Sequence, residues 1–172
     1  KKKPRTVLGV TLGTGVGGAV MSGGRLLRGT IGRAGHIGHM SLDPDGPASI
    51  VGMPGAIEVM IGDCTIAARS GGRFTSTTAL VAAHQAGDTE ASRIWLQSVR
   101  ALAFALGSCI NLFDPEIIVL GGGISAAGDA LFVPLTAELD RIEWRPGGHR
   151  VPVVSATLGE WAGAIGAAWQ AL

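Results

Sequence analysis

The sequence has 172 residues, a length that suits one domain of roughly 100–200 residues with a continuous core. Its 28 glycines exceed the average usage of about 7%, but they cluster between apolar segments, and the 47% apolar content excludes a disordered or collagenous chain. Fourteen basic against thirteen acidic residues give a net charge of +1, which is no electrostatic footprint for nucleic acid. The two cysteines, Cys64 and Cys109, have no metal-ligand or disulfide-framework spacing. No uninterrupted apolar run approaches the roughly 20 residues a bilayer requires, and the basic start Lys1–Arg5 has no signal-peptide core behind it. A soluble, cytoplasmic protein is expected, with no membrane or nucleic-acid partner.

In chain order, Thr6–Leu12 is β-branched and apolar and runs into Gly13-Thr14-Gly15-Val16-Gly17-Gly18. Val16–Met21 reads as a second strand. Ser22-Gly23-Gly24 is a tight-turn signal, from which Arg25–Arg28 returns. The opening is therefore an antiparallel meander with a glycine loop at its first turn. Gly29–Gly62 shows no sustained period, and so long an irregular stretch in a compact domain points to function. Asp88 is a helix N-cap, and Glu90–Asn111 carries Ile94, Val99, Leu102, Leu106 and Ile110 at near-helical spacing. Asp114-Pro115 stops that helix. Ile117–Leu120 reads as a buried strand emptying into Gly121-Gly122-Gly123, followed by a helix over Ala126–Ile142. A strand at Val151–Ser155 and a closing helix over Glu160–Leu172 complete the chain. The small residues Ala162, Gly163, Ala164, Gly166 and Ala167 suggest close packing of that last helix. Glu143–Arg150 reads as an exposed loop anchored by Trp144. Alternating strands and helices imply an α/β layer arrangement, with no linker to divide it.

Gly13–Gly18 satisfies G-x-G-x-x-G after a strand, but a dinucleotide fingerprint needs a helix to begin at the loop. Strand and turn follow instead, so that reading fails on context. Two readings stand: a hairpin whose glycines are chosen for sterics, or a nest of backbone amides turned toward an anion, with the Thr14 hydroxyl as a further donor. Gly121–Gly123, at the end of a buried strand, is a second candidate ligand loop or else a site of close strand–helix packing. Between them, Ala34-Gly35-His36-Ile37-Gly38-His39 and Gly55-Ala56-Ile57-Glu58 place two imidazoles and a carboxylate in loop regions, able to bond sugar hydroxyls or to serve as hydrogen-bonded structural residues. Four zinc ligands cannot be assembled locally.

Taken together, Thr11–Gly18, Gly29, Ala34–His39, Gly55–Glu58, the block Ile110–Gly123, and Leu158, Gly159, Gly163, Gly166 and Ala167 resemble the ROK family (repressors, open reading frames and sugar kinases), its bacterial glucokinase-like members most. The resemblance implies an α/β, actin-like ATPase (ribonuclease H-like) fold, a mixed sheet with antiparallel opening strands and flanking helices. It places ATP between two lobes, with Gly13 and Thr14 at the phosphates and Gly121, Gly122 and Gly123 against the adenosine. Gly15, His36, His39 and Glu58 fall at the sugar. The implied reaction is transfer of the ATP γ-phosphoryl group to a hexose hydroxyl, with Mg2+ neutralising charge and a carboxylate taking the hydroxyl proton. Three departures matter. His36 stands where the family has a sugar-binding Glu. Ser49, Val51 and Ala56 stand where it has zinc cysteines, so a structural zinc is expected to be absent. The first phosphate loop and the catalytic base belong to an N-terminal lobe that is not in this chain. Residues 1–172 would then be a single domain, the C-terminal lobe of such a kinase and part of a homodimer. The alternative is the sugar-sensing effector domain of a ROK transcriptional repressor.

Overall fold

The computed structural model describes residues 3–170. Five strands form one mixed sheet: β1 (Val7–Leu12), β2 (Val16–Ser22), β3 (Arg25–Leu26), β4 (Ile117–Gly121) and β5 (Val153–Ser155), in the order β3-β2-β1-β4-β5. The glycine loop is too short for anything but a reversal, so β2 folds back antiparallel on β1, with Leu12 opposite Val16. Gly23 and Gly24, both at positive φ, make the next reversal without the steric cost a side chain would meet there. β4 joins the other edge of β1 in parallel, Val10 opposite Leu120, and β5 adds in parallel to β4. The meander expected from the sequence is thus welded to a parallel half.

The helices are α1 (Ile57–Ile61), α2 (Ile66–Arg69), α3 (Thr77–Gln85), α4 (Thr89–Phe113), α5 (Asp129–Ile142) and α6 (Ala162–Gln170). The Asp88 carboxylate accepts from the Ala91 amide and starts α4. Asp114, in the left-handed conformation at φ 44°, ends it, so the stop is made one residue before Pro115. By length and composition α4 is apolar enough to cross a membrane. Here it is the central helix of the core, with Ile94, Trp95, Val99, Leu102, Leu106 and Cys109 buried. They pack with Leu8, Val10, Leu12, Ile118 and Leu120 of the sheet in one cluster, the period-two faces of β1 and β4 meeting the 3.6-residue stripe of α4. Burial pushes the Cys109 thiol up to about 11. The Trp95 indole donates to the Ala130 carbonyl at 2.8 Å and pins α5 to α4.

Several expectations are revised. The helix expected over Ala126–Ile142 is divided, because Gly128 at φ 56° separates a 3-10 turn (Gly123–Ala127) from α5. Trp144 is 73% exposed, so it anchors nothing. The loop is held instead by the Glu143 carboxylate, which accepts from the Val151 amide and from the Arg145 guanidinium. The closing helix begins with a 3-10 turn at Gly159, and the end of its expected range, 171–172, lies outside the described residues. Its residues 162–169 are all exposed, so the small residues there are not buried against any described element.

Candidate functional site

The turn between β1 and β2 is held by the segment that follows α1. The Asp63 amide donates to the Gly13 carbonyl at 3.0 Å and the Cys64 amide to the Thr14 carbonyl at 2.9 Å. That segment is fastened in its turn by Arg69, whose guanidinium donates to the Gly62 carbonyl, to the Thr65 hydroxyl and to Ser98 of α4. Burial holds this guanidinium below its ordinary pKa. Within the turn the Gly13 amide is consumed, donating to the Gly15 carbonyl at 3.0 Å. The amides of Thr14 and Gly15 make no hydrogen bond among the described residues. The anion-nest reading therefore applies to two amides and to the exposed Thr14 hydroxyl.

Gly13 and Thr14 form one wall of a cleft of about 590 Å³. Gly123 and the turn behind it form a second wall, and the start of α3 a third, with Asp63 at the junction. Of the second glycine cluster only Gly123 lines this space. Gly121 closes β4 opposite Thr11, and Gly122, at φ 87°, lies so close to the Leu12 backbone that a Cβ would strike it. The packing reading accounts for those two. Ser76, Thr77, Thr78 and Gln85 complete the polar lining. Ser76 caps α3 by accepting from the Ala79 amide, and the Thr77 amide donates to Asp63 Oδ1 at 2.5 Å. The Thr77 hydroxyl is buried without a partner. Sequence reasoning missed these residues. The available signal was Ser76 as an N-cap, with Leu80 and Val81 one turn on.

On the far side of the same turn stands Glu58, in the first turn of α1. Its Oε2 accepts from the Val16 amide at 3.1 Å. The three atoms nearest to a Cβ on Gly15 would all be of the Glu58 side chain, so the glycine is what admits Glu58 to the turn. His36 and His39 stack with ring centroids 6.0 Å apart and planes at 14°. The 3-10 turn that carries His39 (Ile37–His39) packs on β2 and α1, where Gly38 lies against the Val16 carbonyl and the Ile57 amide donates to Met40. His39 Nδ1 is buried and unpartnered, while His36 is exposed. The four residues expected at a sugar thus belong to elements gathered around Val16. The Cys64 thiol nearby is raised by burial and by the Glu58 carboxylate.

Where zinc cysteines would stand, Ser49, Val51 and Ala56 offer no thiolate, and the loop is closed by backbone bonds from Leu42 to Gly55, Gly55 to Pro47 and Ser49 to Met53. Among the described residues no three His, Cys, Asp or Glu side chains are grouped to hold a metal.

The mixed α/β sheet with its flanking helices is the fold of the ROK sugar kinases on which the chain superposes, which is the actin-like ATPase class. The chain belongs to the ROK family, which it matches over residues 1–172. It is 34% identical over 165 residues to an N-acetylmannosamine kinase of Escherichia coli O7:K1, covering 95% of this chain and 55% of that one. Its fold superposes on a ROK hexokinase from Thermus thermophilus with a TM-score of 0.87 and 36% identity, covering 96% of this chain and 56% of the other. It also superposes on a ROK family glucokinase from Streptomyces griseus in complex with glucose and AMPPNP, with a TM-score of 0.84 and 27% identity over 98% and 61% of the two chains. The chain spans about half the length of the curated relatives it matches.

Proposed function

We propose that this chain is the nucleotide- and sugar-binding lobe of a ROK sugar kinase that transfers the γ-phosphoryl group of ATP to a hexose hydroxyl. The observation that carries the proposal is the two-sided β1–β2 turn. Its unpaired Thr14 and Gly15 amides offer donors to a phosphate tail beside the cleft lined by Gly13, Thr14 and Gly123. Its other side holds Glu58, an acceptor for sugar hydroxyls. The γ-phosphoryl group and the acceptor hydroxyl would meet at this turn, and phosphoryl transfer is achieved mostly by such positioning and by charge stabilisation. His39, with an unpaired nitrogen, and His36 would complete the sugar contacts. The glucokinase and N-acetylmannosamine kinase relatives support a sugar substrate, and the AMPPNP-bound neighbour supports ATP. Magnesium fits this cleft because Asp63 supplies the hard oxygen such an ion prefers.

The catalytic base would come from a lobe outside this chain. Two features support that division: the relatives' greater length, and α6 with the turn before it, which leave Trp161, Ile165 and Trp169 exposed. Calorimetric titration with AMPPNP, glucose and N-acetylmannosamine, together with a coupled assay, tests the proposal. AMPPNP and one of the sugars should bind, while the 172 residues alone should turn over negligibly. Sugar binding without nucleotide binding would instead mark a sensor domain, and rapid turnover by this chain would refute the missing base.

A further inference from the structure

The cleft proposed to receive a triphosphate contains no lysine, arginine or histidine among its lining residues, and Asp63 is the one charged side chain there. The cation that Asp63 senses, Arg69, lies outside the cleft lining, so a polyanion entering here meets a negative charge on the cleft wall itself. Asp63 cannot swing away without loss. Its backbone amide is tied to the Gly13 carbonyl, and its Oδ1 accepts from the Thr77 amide at the start of α3. Its Oδ2 makes no hydrogen bond or ion pair among the described residues. A fixed carboxylate with a free oxygen, next to a phosphate-binding turn, matches the way a magnesium ion is ordinarily held, through one or two carboxylates, phosphate oxygens and retained water. The buried, unpartnered Thr77 hydroxyl beside it is available to such a water.

We propose that Asp63 makes this cleft selective for the magnesium complex of the nucleotide over the free nucleotide, by anchoring the metal's water or inner shell while repelling bare triphosphate. The inference rests on the nucleotide reading of the cleft and specifies its charge requirement. In this role Asp63 is a specificity-determining residue, and the Thr77 amide at the start of α3 is what holds it in place.

The test is calorimetric titration of the wild-type chain and of Asp63→Asn with AMPPNP, in excess Mg2+ and in EDTA. Asparagine keeps the Oδ1 acceptor for Thr77 and removes only the charge. For wild type, Mg2+ should tighten AMPPNP by at least about tenfold, and for Asp63→Asn by less than about threefold. The variant should also bind metal-free AMPPNP more tightly than wild type does, a change of sign that a merely structural role would not produce. Equal losses in both conditions, or an unchanged magnesium dependence, would overturn the proposal while leaving the nucleotide site standing. Failure of the wild-type chain to bind AMPPNP under either condition would overturn the nucleotide reading, and this inference with it.

Discussion

Replacing Gly15 by alanine separates the two sides of the β1–β2 turn. The backbone at Gly15 is outside the left-handed region, and the three atoms nearest to an added Cβ all belong to the Glu58 side chain. Alanine is therefore tolerated by the main chain but forces the carboxylate off the Val16 amide. Loss of a hydrogen bond to a charged acceptor costs about 2–3 kcal/mol at this part-buried carboxylate, the stiffer unfolded chain returns up to about 1 kcal/mol, and the net loss is at least about 1–2 kcal/mol. For a domain of this size that lowers Tm by roughly 2–8 °C. Displacement of Glu58 should weaken sugar binding at least about tenfold, with AMPPNP affinity unchanged. Gly13→Ala is the matching control, because its Cβ would meet open space. It should leave Tm within about 1 °C and weaken AMPPNP alone. Calorimetry and a thermal melt read both variants. If Gly15→Ala lowers Tm but leaves sugar affinity within about twofold, Glu58 is a fastening for the turn and not a sugar ligand.

The remaining expectations concern the scaffold. In the native protein a thiol reagent should modify exposed Cys64 and spare Cys109, whose thiol is pushed up to about 11 by burial and so is protonated at pH 8. Both should react in denaturant. Trp95→Phe removes the donor to Ala130 and leaves a void in the core, costing about 2 kcal/mol in a urea melt. Asp114→Gly relieves the left-handed φ of 44° and should raise stability by up to about 1 kcal/mol. Asp88 is held below its ordinary pKa by the Ala91 amide and Arg73, and Asp140 by Arg145 and Arg150. A depressed carboxyl contributes stability above its unfolded pKa and loses it as pH falls through the folded one. Tm should therefore be flat near neutrality and drop below about pH 4, and Asp88→Asn should flatten part of that drop.

Much of this architecture is legible in the chain because its signals are local. The β-branched, apolar run Thr6–Leu12, the Gly23-Gly24 reversal and the apolar stripe after Asp88 each fix an element within one or two residues of where it lies. What escapes is either short or spatial. α1 and α2 are four or five residues long, below the length at which a helical period can be counted, and α3 opens on β-branched Thr77-Thr78, which weakens its helical signal. The Asp63–Thr77 wall of the cleft is assembled from separate segments that only the folded chain brings together. Trp144 shows the converse error: an aromatic in a loop reads as an anchor, yet the ion pairs of Arg145 with Glu143 and Asp140 do that work. The glycines are mixed in kind. Gly13 and Gly123 open onto the cleft, whereas Gly122 is required by the nearby Leu12 backbone, a distinction that composition alone does not make.

The central claim is that the free amides of the β1–β2 turn receive the phosphates of a nucleotide. The direct measurement is an amide ¹H–¹⁵N titration of the assigned chain with Mg·AMPPNP. The Thr14 and Gly15 amides should move most, with Gly123 and Thr78 following at the other walls of the cleft and α6 unaffected. Unmoved Thr14 and Gly15 resonances at saturating nucleotide, or shifts centred elsewhere on the sheet, would contradict it.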